Sequence, residues 1–213
     1  MEIKIFPDGI YGAITYLIYD KETKEGAIVD CTCCIDEIKK FIEKEKINLK
    51  YILITHGHFD HVYCISKAKD VFPLAQILIH KEDMVLLDNI KTQCSMAEIP
   101  EIKVPCIDGL LGDETHNLKL GNYEIKIIHT SGHSKGGVCY LINDILFSGD
   151  TLFQGSIGRC DLWGGSMEEI GKSIKEKLFV LDENIVVYPG HGDKTTIGYE
   201  KKYNPYFGSE YSF

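Results

Sequence analysis

The chain has 213 residues, 44% of them hydrophobic, which is enough to bury a sizeable core, and its 32 acidic against 23 basic residues leave a formal charge of −9. That balance opposes binding to phosphate backbones, which requires a basic footprint, so no nucleic-acid partner is expected. No apolar run reaches the length of a membrane span and the N-terminus MEIKIFPDGI lacks a basic segment leading into an apolar one, so a cytoplasmic location without membrane contact is expected.

Strands are predicted at 2–6 (EIKIF), 13–19 (AITYLIY) and 26–30 (GAIVD), where β-branched and aromatic residues dominate. A helix follows from Ile35 to Lys46, with Ile38, Phe41 and Ile42 on one face and Asp36 or a nearby residue as its cap. Its Lys and Glu residues alternate at helical spacing, which reads as a solvated face with i,i+4 pairs. The strand 51–55 (YILIT) leads into the polar segment THGHFDH, then a helix from Val62 to Val71, a strand at 76–80 (QILIH) and a short helix near Glu82 to Leu87. From about Asp88 to Asp113, Pro100, Pro105, Gly109 and Gly112 predict irregular structure, either a mobile flap or a well-packed segment. The second half repeats the order: strands LKLG, YEIKIIHT, GVCYLIND and DILFSGD, a helix from Ser166 to Val180, then the strand NIVVYPG. Two strand-then-helix halves predict an α/β fold of two packed sheets with helices outside, in a single domain over 1–213.

The segment THGHFDH crowds His56, His58, Asp60 and His61 at the end of an apolar strand. Burying them is costly unless a cation holds them, and imidazole plus carboxylate suits zinc, iron or manganese. In extended backbone His56 and His58 point the same way, whereas the adjacent Asp60 and His61 must diverge, which suggests two ions. His133 in HTSGHSKGG, Asp150 in LFSGD and His191 in VVYPGHGD follow the same grammar. In each, an apolar run ends at a glycine (Gly132, Gly149, Gly190) and the polar group comes just past the strand. Because a carboxylate bridges two cations, one ion is expected at His56, His58, His133 and Asp150 and the second at Asp60, His61, His191 and Asp150. Each keeps room for a shared water, the open coordination of a catalytic site. Zinc is the expected metal, with iron and manganese compatible. Eight cysteines without an export signal are expected to be reduced thiols. Cys64, Cys94, Cys106 and Cys139 read as small buried hydrophobes. Cys31, Cys33 and Cys34 form a denser cluster that lacks a fourth ligand at sensible spacing.

These motifs resemble the metallo-β-lactamase superfamily and, within it, the glyoxalase II-like hydrolases. THGHFDH fits the HxHxDH signature, His133 the third-histidine loop, Asp150 in SGDTLF the bridging aspartate and His191 in PGHGDKTT the last ligand. The likeness runs in order over nearly the whole chain and includes Asp30, where the family usually has an aspartate supporting the ligand loop. The Pro-Gly that commonly follows that aspartate is here Cys31-Thr32, so a reshaped turn is expected. The resemblance implies an αββα sandwich, two mixed sheets flanked by helices, with the metals at one edge between the sheets.

The ligand set suggests hydrolysis by a hydroxide shared between two cations, with no side-chain base beyond the ligands, and with Asp60 a ligand rather than a free base. A thioester suits this chemistry because a thiolate leaves without strong acid assistance. The resemblance implies S-D-lactoylglutathione or a related small-molecule thioester as the substrate. The longer glyoxalase II enzymes carry a C-terminal helical domain that grips glutathione and a Lys and a Tyr in the loop after the bridging aspartate. Here a short tail, TTIGYEKKYNPYFGSEYSF, and Gly158-Arg159-Cys160-Asp161 stand in those places, so the chain looks more like the short single-domain branch. Arg159 is the candidate for meeting a substrate carboxylate; an Arg159–Asp161 pair is the structural alternative. The rival from another class is a persulfide dioxygenase with one iron at His56, His133 and Asp150. Hydrolysis of another ester, a lactone or a phosphoester is a further reading. A β-lactamase would more often replace His61 and put Cys at the place of Asp150.

Overall fold

The computed structural model describes residues 1–112 and 117–210. One sheet takes the strands in chain order: β1 (Glu2–Phe6), β2 (Thr15–Tyr19), β3 (Glu25–Val29), β4 (Asn48–Leu53), β5 (Gln76–His80) and β6 (Gly109–Leu111). Its first pairings are antiparallel and those from β3 to β6 parallel. The helices α1 (Ile35–Glu45), α2 (Phe59–Val62), α3 (Ile65–Val71), α4 (Met84–Asp88) and α5 (Ile90–Met96) come from the connections after β3, β4 and β5. In the second half β7 (Leu118–Leu120), β8 (Tyr123–His129), β9 (Val138–Ile142), β10 (Ile145–Gly149), β13 (Val186–Pro189) and β14 (Thr195–Thr196) form the other sheet, in the order β14-β13-β10-β9-β8-β7. A small hairpin of β11 (Leu152–Phe153) and β12 (Ser156–Ile157) stands apart, and α6 (Met167–Lys172) and α7 (Ile197–Tyr203) complete the chain.

Strand alternation explains the layering. In β2 to β5, Leu17, Ile28, Ile52, Ile77 and Ile79 pack with Ile35, Ile38, Ile65 and Cys94 of the helices. Their neighbours Tyr16, Ile18, Ala27, Val29, Leu53 and Leu78 meet Ile125, Tyr140, Ile142 and Phe147 of the second sheet. The outer face of that sheet, with Ile128, Cys139, Leu146 and Val187, is covered by Ile170, Ile174, Leu178 and Ile197. Helix, sheet, sheet and helix therefore stack as the αββα sandwich.

Several boundaries differ from the sequence reading. The helix expected from Val62 to Val71 is broken into α2 and α3, and its first turn already starts at Phe59. The stretch expected to be irregular from Asp88 contains α5, seated by buried Ile90 and Cys94 one turn apart, and the edge strand β6. Between them Ile102 is buried and Ile99, Val104 and Ile107 pack against the core, so the segment is packed rather than a flap; Asp113 lies outside the described residues. Asp36 does not cap α1: Cys34 is the cap residue, in a left-handed conformation (φ 60°) without a side-chain bond, while Asp36 and Glu37 sit in the first turn, where the helix dipole favours them. The helix expected from Ser166 to Val180 begins at that Ser166 cap and widens to π-helical bonding over Ser173–Leu178. There the Ser173 hydroxyl donates to the Ser131 carbonyl at 2.8 Å.

At one edge the two sheets are bonded to each other. Val138 N donates to Thr55 O at 2.9 Å, the Tyr140 hydroxyl to Ile54 O at 2.8 Å, Ile14 N to Gly190 O at 2.9 Å and the Tyr16 hydroxyl to Pro189 O at 2.6 Å. Parallel β10 and β13 both end here, as do β4 and β8, so four strand-end loops converge.

Candidate metal centre

The converging loops bring all seven expected ligands together. His133 Nε2 lies 2.9 Å from His58 Nδ1 and 3.2 Å from His56 Nε2. His191 Nε2 lies 3.2 Å from His61 Nε2 and 3.4 Å from Asp60 Oδ2. Asp150 stands between the groups, Oδ1 being 3.3 Å from His61 Nε2 and Oδ2 3.5 Å from His133 Nε2 and 3.6 Å from His191 Nε2. Two sets, His56 with His58 and His133 and Asp60 with His61 and His191, each gather their donor atoms within 4.8 Å. His56, His61 and Asp150 gather as closely, which joins the two sets. The described cysteines belong to no such set.

The opposite nitrogens decide what the inward ones offer. His61 Nδ1 donates to Asp30 Oδ2 at 2.8 Å, His133 Nδ1 to the Arg159 carbonyl at 2.8 Å and His191 Nδ1 to the Tyr11 carbonyl at 3.2 Å. His56 Nδ1 lies 3.1 Å from Thr55 Oγ1, whose own hydrogen goes to Asp30 Oδ2 at 2.8 Å, so this nitrogen too is the donor. With those protons outward, the four rings turn their Nε2 atoms toward one another. Lone pairs at about 3 Å repel unless a cation lies between them. Asp150 Oδ1 has the same need: it is buried and finds no hydrogen-bond partner among the described residues, with His61 Nε2 3.3 Å away. Nitrogen and oxygen donors of this kind fit divalent metals such as zinc, iron or manganese.

The electrostatics agree. Burial, then the neighbouring His61, His133 and His58, push the His56 pKa well down, and burial with His133 pushes that of His58 to about 3. At His61 burial works the same way, but the carboxylates of Asp150, Asp30 and Asp60 outweigh it and hold the pKa well above the usual value. At Asp150 burial opposes ionisation, yet His61, His133 and His191 win and hold the carboxyl well below its ordinary range. The spot attracts positive charge, and a divalent cation supplies it while leaving the rings neutral.

Supporting groups hold this geometry. Asp30 sits at the end of β3 with φ 58° and accepts from Thr55 N, Thr55 Oγ1 and His61 Nδ1, each at 2.8 Å. In the turn after it, Cys31 N donates to His61 O at 2.8 Å and Thr32 N to Thr15 Oγ1 at 2.9 Å. A proline at 31 could not make the first of these bonds. Gly190 is required by close approach, since a Cβ there would lie 2.2 Å from Asp150 Oδ1. Asp83 was missed in the sequence. Its buried carboxylate accepts from Gly57 N at 2.9 Å, Ser134 Oγ at 2.8 Å and Gly136 N at 2.6 Å, tying the first ligand loop to the third. No spacing signal marks it, because it lies in an ordinary helix start, KEDM. The Arg159 guanidinium, expected to meet substrate, is exposed and forms a bidentate pair with Asp161 at 2.7 Å; only its carbonyl reaches the centre.

Residues 11–191 match the metallo-β-lactamase superfamily, to which the chain belongs. It is 34% identical over 212 residues to the hydroxyacylglutathione hydrolase GloC of Haemophilus influenzae, covering 99% of this chain and 100% of the relative. Among solved structures, BLEG-1, a B3 metallo-β-lactamase, superimposes with a TM-score of 0.88 at 33% identity, over 96% of this chain and 99% of the other. TTHA1623 in a di-iron-bound form gives a TM-score of 0.84 at 27% identity, over 96% and 100%. The chain is thus a hydrolase of the metallo-β-lactamase superfamily with His and Asp groups able to hold divalent metal.

Proposed function

We propose that the chain is a thioester hydrolase of the hydroxyacylglutathione type, working with two divalent cations, zinc foremost. One would be held by His56, His58 and His133, the other by Asp60, His61 and His191, with Asp150 shared. The observation that carries this reading is the pair of donor sets meeting at Asp150, whose buried Oδ1 has no hydrogen-bond partner. The likeness to a hydroxyacylglutathione hydrolase over the full length supports the substrate class. A one-ion dioxygenase site at His56, His133 and Asp150 would leave Asp60, His61 and His191 converged without a role.

When bound, such cations supply Lewis acidity to a water molecule and to the carbonyl oxygen of the ester. The chain's own groups fix everything else. Asp30, Thr55 and the carbonyls of Arg159 and Tyr11 hold the imidazoles in one tautomer, so the same nitrogen always faces the centre. Asp60, 3.4 Å from His191 Nε2, faces the second set and is not available as a free base. A thiolate, with a conjugate-acid pKa near ~8.5, departs without a proton from the protein. Metal analysis should give about two ions per chain together with hydrolysis of S-D-lactoylglutathione. One iron per chain with oxygen uptake on glutathione persulfide would overturn the proposal.

A further inference from the structure

Two polar side chains between residues 81 and 96 grip the first ligand loop from outside the centre. Gly57, between His56 and His58, donates its N–H to Asp83 Oδ2 at 2.9 Å, and its carbonyl accepts from Gln93 Nε2 at 3.2 Å. The other end of the same amide takes the peptide beyond His58, Phe59 N donating to Gln93 Oε1 at 3.1 Å. Gln93 Nε2 also donates to Leu86 O at 2.8 Å, which anchors the amide to α4. His58 is therefore held through the peptides on both of its sides. Asp83 carries the grip across to the third loop, where Ser134 Oγ and Gly136 N donate to it at 2.8 and 2.6 Å just after His133. Packing leaves the loop no slack, since a Cβ on Gly57 would lie 2.8 Å from Leu86 Cβ.

The residue held in this way differs from the other imidazoles. His58 presents Nδ1 to the centre, 2.9 Å from His133 Nε2, whereas His56, His61, His133 and His191 turn Nε2 inward. Nδ1 is bonded to Cγ and Nε2 lies across the ring, so the backbone of His58 stands nearer the cation position than that of a ligand reaching with Nε2. Its donor goes where the loop puts it. That backbone is extended (φ −73°, ψ 148°) and turns at once into α2, a path that the bonds to Gly57 and Phe59 fix. The second set has its own supports, Asp30 behind His61 and the Tyr11 carbonyl behind His191.

We propose that Gln93 and Asp83 are positioning residues for the first cation: they fix which nitrogen His58 offers and its separation from His133, and they leave the second cation to Asp30. The proposal rests on the two-cation reading of the centre. Gln93→Met keeps the length and helix preference of the side chain and removes both hydrogen-bonding ends. The zinc-loaded protein is titrated with a competing chelator and followed by nitrogen NMR of the histidine rings, which shows for each ring whether Nδ1 or Nε2 is bound to metal. In the parent protein His58 should be bound through Nδ1. In Gln93→Met the cation of His56, His58 and His133 should be weakened roughly 10–100-fold, the usual cost of losing a supporting group, and the Nδ1 signature of His58 should be lost or mixed with Nε2. The cation of Asp60, His61 and His191 should change by less than about twofold, with the ring signals of His61 and His191 in place. A role confined to seating α5 would lower Tm and leave the ratio of the two affinities and the His58 signal where they were; that result, or equal loss at both positions, would overturn the proposal. Ser134→Ala removes one donor of Asp83, leaves α5 untouched and keeps the test open if Gln93→Met does not fold. It should weaken the first cation roughly tenfold, at the low end for a supporting group, and an unchanged first cation would overturn the proposal. A single ion per chain whose affinity falls in both variants would support the positioning role and sink the two-cation reading; two ions of unaltered affinity in both variants would sink the positioning role alone.

Discussion

Asp30→Asn isolates what the aspartate behind the second donor set contributes. Asp30 is 1% exposed and accepts three hydrogen bonds at 2.8 Å, from Thr55 N on Oδ1 and from Thr55 Oγ1 and His61 Nδ1 on Oδ2. Its φ of 58° suits asparagine as well, so the substitution changes hydrogen bonding and leaves the backbone in place. An amide has one oxygen. If it stays on Thr55 N, the NH₂ faces His61 Nδ1, and the ring must move its proton to Nε2, the atom that points at His191. If the amide flips, NH₂ opposes Thr55 N and a buried donor is left unsatisfied, at about 1–3 kcal/mol. The first outcome blocks a metal ligand, for which losses of roughly 10–100-fold in affinity are typical of supporting groups. Competitive chelator titration should show the cation of Asp60, His61 and His191 weakened by that factor, about 1.4 kcal/mol per tenfold, before that of His56, His58 and His133. Unchanged affinity at both positions, or selective loss of the other cation, would refute the tautomer argument.

The remaining expectations are simpler to state. Asp150→Ala should abolish retention of both cations as well as thioesterase activity, because its carboxylate faces both donor sets; metal content equal to that of the parent protein would reject the sharing. Chelation should lower Tm, and each cation returned at about 1,000 times its Kd should add about 4 kcal/mol; a melt indifferent to chelator would contradict the lone-pair repulsion. Arg159→Ala should leave stability nearly unchanged, as its partner is an exposed carboxylate, and leave metal content alone because the carbonyl that meets His133 remains; reduced metal content would show that the side chain matters. Acid should loosen the junction of the sheets. Backbone N–H bonds from Asn122 to Asp20 and from Gly121 to Glu25 hold both carboxyls below their ordinary values of 3.8 and 4.5. Their stabilisation is therefore present above those values and fades as pH falls through the lowered ones. Urea midpoints measured from about pH 6 to pH 2 should fall less in Asp20→Asn/Glu25→Gln, and parallel profiles would count against the role of these bonds.

How much of this was legible follows from where each signal resides. The strands with β-branched runs, such as TYLIY and QILIH, lie within two residues of where the sequence puts them, because burial on both faces calls for apolar residues along their middles. Helix α5, IKTQCSM, was not visible. Its only periodic signal is Ile90 and Cys94, and although Lys91, Gln93 and Met96 are good helix formers, seven residues are too few to nucleate alone, so tertiary packing makes it a helix. The pairs β11–β12 and β13–β14 escaped for a related reason: two-residue pairings carry no alternation to detect.

The candidate centre divides along a different line. Its candidate ligands are imidazoles and carboxylates, side chains suited to holding metal, so seven letters in strand-end contexts announce them, and the fold needs only to bring the loops together. The groups that orient those ligands are largely backbone. The carbonyls of Tyr11 and Arg159 hold His191 and His133 although neither side chain is needed for it, and any residue offers a carbonyl. Arg159 shows how this misleads a reading of letters: its guanidinium drew attention as a substrate clamp, yet Asp161 occupies it and the peptide oxygen beneath reaches the centre. Side-chain chemistry is therefore readable from sequence where it acts directly on a ligand, and becomes readable elsewhere only once the fold shows which charges are already paired.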